Sequence, residues 1–338
     1  MTITDSARLT AQPHITVMVP AYNEEKNIAQ TLRNICDVLQ QMSSHWDIVV
    51  VDDGSHDRTA HVVQSLVASC RVTLVRFSRN FGKENAISAG FNYAKGDLVI
   101  CMDADGQHAS ELMLTMLKRW REGYDMVYAV RQDRAQESSF KLWGSRLFYR
   151  MMSASSHIDI PRDAGDFRLM DRKVVDALCA LPERNRFMKG IYAWVGYKSI
   201  GIPYIPLPRL HGESAYSKLK LIALAWTGIT GFSVLPLRLA SLTGAILAII
   251  AFAYGAVVVI DTLFFHESVP GWPTVVASMM FFAGVQLLFI GVLGEYLARV
   301  YDEVKGRPPY IVAEVVQPEE AAQPAVRPAR RRKPATDA

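Results

Sequence analysis

Five short apolar runs, each ending on polar residues and separated from the next by a helical pattern, constrain this chain most. Ile15 to Val19, Asp47 to Val51, Val72 to Phe77, Asp97 to Met102 and Met126 to Val130 read as strands. Glu25 to Met42, Arg58 to Ala68, Lys83 to Ala94 and Ser110 to Arg121 read as the helices between them. In the first helix Ile28, Leu32, Ile35 and Leu39 recur at helical spacing. Continuous apolar strands alternating with helices predict a mostly parallel sheet with helices on both faces. Such sheets bind ligands outside the carboxyl ends of their strands. Here those ends carry Pro20-Ala21-Tyr22-Asn23-Glu24, Asp52-Asp53-Gly54-Ser55, Ser78 to Lys83, Asp103-Ala104-Asp105 and Arg131. Neither a G-x-G-x-x-G nor a P-loop sequence occurs, which argues against a dinucleotide dehydrogenase or a P-loop enzyme.

A second feature sits near the C-terminus. Leu239 to Ile260 and Val275 to Gly294 carry no charged residue. Each is long enough to cross about 30 Å of hydrocarbon. The loop between them has Asp261 and Glu267 but no Lys or Arg, whereas Lys218, Lys220, Arg238, Arg299, Lys305 and Arg307 flank the pair. The positive-inside bias predicts a transmembrane hairpin with both termini cytoplasmic. Lys218 to Leu235 reads as amphipathic helix at the interface. The expected organisation is an extension over 1–13, a catalytic domain over 14–216 and juxtamembrane helices over 217–238. The hairpin follows over 239–294, and a tail over 295–338 is disordered from about residue 315. No signal peptide is visible, and the four cysteines lack a paired spacing, as expected of thiols in a reducing compartment. The net charge of +4 comes partly from the basic tail, so it is no evidence for nucleic-acid binding.

Asp103 and Asp105 close a buried strand, one residue apart. Two carboxylates at such a mouth form a hard-oxygen site suited to Mg²⁺ or Mn²⁺ carrying a diphosphate, with Gln107 as a further ligand. Lys83 stands at a helix start beside Gly82, where main-chain N–H groups favour phosphate. Tyr22 can lie against a nucleobase, with Glu24 and Asp53 accepting bonds from base or ribose, while Asp52 braces its own loop.

Jointly, Val19 to Glu24, Val51 to Ser55 and Asp103-Ala104-Asp105 resemble glycosyltransferase family 2. Gly165-Asp166-Phe167-Arg168-Leu169-Met170, Pro208-Arg209-Leu210, Gly212-Glu213-Ser214, Ser217-Lys218 and Phe232-Ser233 before Pro236-Leu237-Arg238 narrow the resemblance to polyprenyl-phosphate glycosyltransferases. These include bactoprenol glucosyltransferases and dolichol-phosphate mannose synthases. The resemblance implies a GT-A nucleotide-diphospho-sugar transferase fold and inverting chemistry. It implies nucleotide contacts at Pro20, Ala21, Tyr22, Glu24 and Asp53, to which Lys83 at its helix start and Asp103 of the acid pair are added from their placement. It also implies a nucleotide-sugar donor, a polyprenyl phosphate acceptor, a bacterial inner-membrane location among membrane lipids, and a homo-oligomer such as a tetramer. UDP-glucose leads among donors, with GDP-mannose, UDP-galactose, UDP-N-acetylglucosamine and an aminoarabinose donor as alternatives. A different lipid or a protein acceptor is a further alternative, as is a scaffold that binds without catalysis. Processive members carry Q-x-x-R-W, but Met116 stands where that motif before Arg119-Trp120 needs Gln.

A phosphate acceptor changes what the site must supply. A sugar hydroxyl would need a general base. A phosphate monoester, with a second pKa of about 6, is already anionic at neutral pH. It needs cations to hold it beside a negatively charged donor, and Arg131, Arg146, Arg209 and Lys218 are the candidates. Asp166 is a further catalytic candidate, orienting the acceptor or contacting the sugar, unless it is a buried acid paired with Arg168 or another cation.

Overall fold

The computed structural model describes residues 8, 12–132, 161, 164–184, 186–206, 235–260, 264 and 271–318. Strands β1 (Ile15–Ala21), β2 (Trp46–Asp52), β3 (Val72–Phe77) and β4 (Leu98–Cys101) follow the predicted runs closely. Between them lie α1 (Ile28–Met42), α2 (Thr59–Ser65) and α3 (Lys83–Tyr93), and α4 (Leu112–Arg121) leads to β5 (Met126–Arg131). α1 starts later than its pattern suggested, because the N–H groups of Asn27 and Ile28 both bond to the Glu24 carbonyl in a preceding turn.

Then come β6 (Ala164–Asp171), α5 (Arg172–Ala180), α6 (Met188–Trp194) and β7 (Ser199–Tyr204). The sheet order is β7-β5-β6-β4-β1-β2-β3-β8, the last strand being Val312–Val316. Strands β1 to β4 run parallel, β6 runs antiparallel between β4 and β5, and β7 is parallel to β5. This is the expected GT-A-like α/β architecture. Because β6 is reversed, its amino end, Ala164-Gly165-Asp166, arrives at the same sheet edge as the carboxyl ends of the parallel strands.

Helices cover both faces, as continuous apolar strands require. On one face Ile28, Leu32, Ile35 and Leu39 of α1 pack with Met113, Met116 and Trp120 of α4 against β1, β2 and β4. On the other, Ala86, Ile87 and Phe91 of α3 pack with Val174, Leu178 and Tyr192. Met116 and Trp120 are core residues, while Arg119 pairs with Glu122 at 2.7 Å on the surface. The Trp120 indole N–H donates to Asp171 at 2.9 Å, and Arg8 lies 5.2 Å from the Trp120 ring centre. Arg8, expected in a featureless extension, is buried and ion-paired with Asp125 at 2.9 Å and Asp171 at 3.2 Å.

Helices α7 (Leu235–Ile260) and α8 (Trp272–Lys305) contain the two apolar runs. Leu237–Val257 and Ser278–Lys305 are long and apolar enough to cross a membrane, and neither stretch is buried within the protein, as a core helix would be. The segment expected as a tail over 295–338, disordered from about residue 315, carries ordered structure as far as Val316. α8 continues to Lys305, Gly306 ends it at φ 72°, and Val312–Val316 forms β8 on the open edge of β3. β8 covers the edge of the buried β3 and leaves a short, five-residue strand as the outer edge, one of the ways an open sheet edge is blunted. The expected juxtamembrane segment lies outside the described residues up to residue 234.

Trp120 carries the largest packing load in this core. Trp120→Ala is expected to cost about 3–5 kcal/mol. Trp120→Phe, which keeps most of the ring volume and loses the bond to Asp171, should lower the thermal midpoint of the full chain clearly less. Equal losses would show that the hydrogen bond, not packing, sets the stability there.

Candidate active site

A cavity of about 710 Å³ opens at the carboxyl edge of the sheet. Pro20, Ala21, Tyr22, Glu24, Asp53, Lys83, Asp103, Asp105, Gln107, Arg131 and Asp166 all line it. Every candidate site residue among the described residues therefore meets in one place. Arg146, Arg209 and Lys218 lie outside the described residues.

The walls are built by the loops after the strands. Asp52 is fully buried and accepts the Ser55 N–H at 3.1 Å, which bends the Asp52-Asp53-Gly54-Ser55 turn. Gly54 has φ 67°, and a Cβ there would meet the main-chain carbonyl carbon of Arg79 at 2.3 Å. Only glycine lets the two loops pass so closely. Asp53 accepts the N–H groups of Phe81 at 2.7 Å and Gly82 at 2.9 Å, fixing the turn that begins α3. Burial nevertheless pushes its carboxyl upward against those two bonds. Asp53 thus braces the loop that leads to Lys83 as well as lining the pocket. Tyr22 is 41% exposed at the rim, so it is not a core aromatic.

At the centre, Lys83 joins two carboxylates. Its Nζ lies 2.7 Å from Asp103 and 2.8 Å from Asp166. Lys83 is therefore not a lone solvated lysine. Asp166 has a cation partner, and it is Lys83, not Arg168. Arg168 is buried and donates to the Gly165 carbonyl at 2.6 Å, holding the start of β6 that presents Asp166. Loss of water opposes ionisation of Asp103, but the Lys83 ammonium and the His108 ring outweigh it and hold this carboxyl well below the usual range. Desolvation likewise works against the Lys83 charge, and Asp166 and Asp103 overcome it, raising its pKa well above the ordinary value.

His108, Tyr204 and Lys189 also line the pocket, and sequence reasoning missed all three. The His108 Nε2 is 3.9 Å from Asp103, and its ring packs 4.7 Å from Phe167 and 5.4 Å from Tyr204. Its place directly after Asp103 to Gln107 was an available signal. Lys189 and Tyr204 had none, since only the return of β7 and α6 to this edge brings them in.

Among the described residues, no group of three or more His, Cys, Asp and Glu side chains is arranged to ligate a metal. Asp103, Asp105 and Gln107 nonetheless offer oxygen donors to one pocket. Asp105 accepts the Gln107 N–H at 3.1 Å, which holds the loop compact. Two carboxylates and an amide suit a hard divalent cation that keeps positions open for phosphate oxygens and water.

A glycosyl transferase family 2 model matches residues 16–179. The uncharacterized glycosyltransferase YkcC of Bacillus subtilis is 43% identical over 298 residues, covering 88% of this chain and 92% of its own. The chain belongs to glycosyl transferase family 2. The prophage bactoprenol glucosyl transferase homolog of Escherichia coli K12 is 39% identical over 302 residues, covering 89% of this chain and 99% of its own. An SfII prophage-derived bactoprenol glucosyl transferase of Shigella flexneri is 42% identical, covering 88% and 97%. Among solved structures, glucosyl-3-phosphoglycerate synthase of Mycobacterium tuberculosis, in complex with Mn²⁺, UDP and phosphoglyceric acid, is 16% identical with a TM-score of 0.49, covering 68% of this chain and 81% of its own. The protein is a glycosyltransferase.

Glu84, beside Lys83, accepts the Met188 N–H at 3.2 Å. Burial and the nearby Asp166 push its carboxyl up to about 7 from 4.5. The folded state thus holds this proton more tightly than the unfolded chain. The stability it confers is present below pH 4.5 and is lost as pH rises through about 7. Glu84→Gln should therefore gain thermal midpoint over the parent at pH 8, with the gain shrinking toward pH 5. A gain that does not change with pH would contradict this.

Proposed function

We propose that this chain moves one glucosyl unit from UDP-glucose to a polyprenyl phosphate, with inversion, at the cytoplasmic face of the bacterial inner membrane. The observation that carries the reading is one open pocket in which an acid pair, a bridging lysine and Arg131 meet, in a chain that also bears two unburied apolar helices. The bactoprenol glucosyl transferase relatives, aligned along 97% and 99% of their own lengths, support glucose and a polyprenyl acceptor.

In this reading Tyr22 lies along the nucleobase, and Glu24 and Asp53 face the base and ribose. Asp103, Asp105 and Gln107 hold Mg²⁺ or Mn²⁺. When bound, that cation offsets charge on the departing nucleoside diphosphate. Lys83 and the N-terminus of α3 face the diphosphate. An oxygen of the acceptor phosphate, already anionic, attacks the anomeric carbon from the opposite side. The bond from that carbon to the donor's β-phosphate oxygen breaks, and its electrons leave with the diphosphate. No base is required, so the pocket's work is placement. Arg131, exposed at the end of β5, and Lys189 draw the acceptor phosphate in, and Arg146, Arg209 and Lys218 complete its cation set. Asp166, held by Lys83, orients the incoming group. The hairpin keeps the prenyl chain in the bilayer, with the Asp261 to Thr274 loop outside and both termini cytoplasmic.

Purified full-length enzyme with Mg²⁺ or Mn²⁺, undecaprenyl phosphate and a panel of nucleotide sugars should yield a glucosyl lipid from UDP-glucose, identified by mass spectrometry. Mannosyl, galactosyl, N-acetylglucosaminyl or aminoarabinosyl lipid instead would reassign the donor. No lipid product from any donor would refute the reading. Arg131→Ala should raise the KM for the lipid at least about tenfold, in line with one lost charge-assisted contact. An unchanged lipid KM would point to an acceptor without a phosphate.

A further inference from the structure

A second cavity, of about 520 Å³, lies where the end of α8 meets the loop after β3. Arg79, Arg184, Lys305 and Arg307 line it, with Asp302 as the lining carboxylate. Four cations thus face one acid. Three of the four cations have contacts with rings or carbonyls, and Arg79 also acts at longer range on the Asp53 carboxylate. Arg79 lies 4.0 Å from the Phe81 ring centre and donates to the Asn80 carbonyl at 2.8 Å. Lys305 lies 5.0 Å from the Tyr301 ring centre. The Arg184 guanidinium donates to the Glu303 main-chain carbonyl, while its N–H takes the Glu303 carboxylate at 3.0 Å. Among the described residues, Arg79, Lys305 and Arg307 form no ion pair with a carboxylate. Gathering like charges costs energy unless an anion offsets them, and Arg forks match phosphate oxygens.

The cavity is also held in shape. Tyr310 stacks on Phe77 at 4.9 Å and accepts a bond from Asn92 at 3.0 Å. The Ser78 N–H donates to the Ile311 carbonyl at 3.0 Å. These contacts clamp the chain after α8 to the sheet. Asn80 and Gly82 line both this cavity and the active pocket, so the two share a wall that ends at Lys83.

We propose that this cavity is a second anion site, taking a phosphate or diphosphate group at the seam between the membrane helices and the catalytic domain. Two sources have that chemistry: a soluble phosphate compound and a phospholipid headgroup. From Glu295, the first charge after the apolar run, to Lys305 a helix climbs about 15 Å. Polar headgroups extend only about 5–8 Å beyond the hydrocarbon on each side. The soluble source is therefore favoured. Nothing in this inference depends on which sugar or acceptor the enzyme uses.

The test uses the full-length enzyme in phosphatidylcholine nanodiscs, with inorganic pyrophosphate as the probe. The unaltered chain should bind two pyrophosphates and Lys305→Glu/Arg307→Glu one, with UDP binding retained in both as the sign of an intact pocket. Arg79→Gln is the milder variant should the double change not fold, and it should weaken the second site about tenfold. Adding phosphatidylglycerol separates the sources. If the lipid raises the thermal midpoint of the unaltered chain alone and displaces the second pyrophosphate, the site stands and its ligand is a headgroup. If the lipid has no such effect, the ligand is soluble phosphate. Equal pyrophosphate stoichiometry in the unaltered chain and the variants would overturn the proposal.

Discussion

The contact of Lys83 with Asp103 and Asp166 is the interaction on which the site depends. Without that ammonium, two carboxylates at the ends of adjacent strands would face each other in one pocket. At an effective dielectric of about 20, unit charges about 4 Å apart interact by about 4 kcal/mol. The lysine converts repulsion of that order into attraction and pulls the end of β4 and the start of β6 to a fixed separation. Its own place is set by Asp53, whose carboxylate takes the Phe81 and Gly82 N–H groups and so decides where α3 begins. Gly54 allows that arrangement by letting the neighbouring loop pass close to Arg79.

The sheet does for the site what no single loop can. Parallel strands deliver their carboxyl ends to one edge, and the reversed β6 delivers its amino end there. Asp166 is 63 residues from Asp103 in sequence, yet one side chain touches both. The same sheet receives the chain that follows the long apolar helices, since β8 pairs with β3 directly before the loop that leads to Lys83. The strand that follows the apolar helices and the loop that leads to Lys83 are consecutive parts of one hydrogen-bonded edge.

Much of this was legible in the chain. The buried parallel strands announce themselves because both faces are covered, so every residue in Ile48 to Val51 is apolar. The turns after them carry the acids, and those acids do meet. What was hidden depends on long-range pairing. β6 reads as no more than a motif until its reversed register with β4 is known. β8 carries no strand signal of its own, because three of its five residues are exposed and only its two ends turn inward. Arg8 carries no local signal because its partners, Asp125 and Asp171, lie more than a hundred residues away. His108 was passed over beside two more conspicuous acids, and Lys189 and Tyr204 carry no local pattern.

The central claim is best tested at the bridging lysine itself, by rates of sugar-lipid formation with Lys83→Met and Lys83→Arg. The account predicts that methionine, which keeps the length and removes the charge, slows transfer at least about a hundredfold, as expected for losing a charged contact in a preorganised site. Arginine should recover part of the rate. Transfer at the parent rate in Lys83→Met would contradict the account.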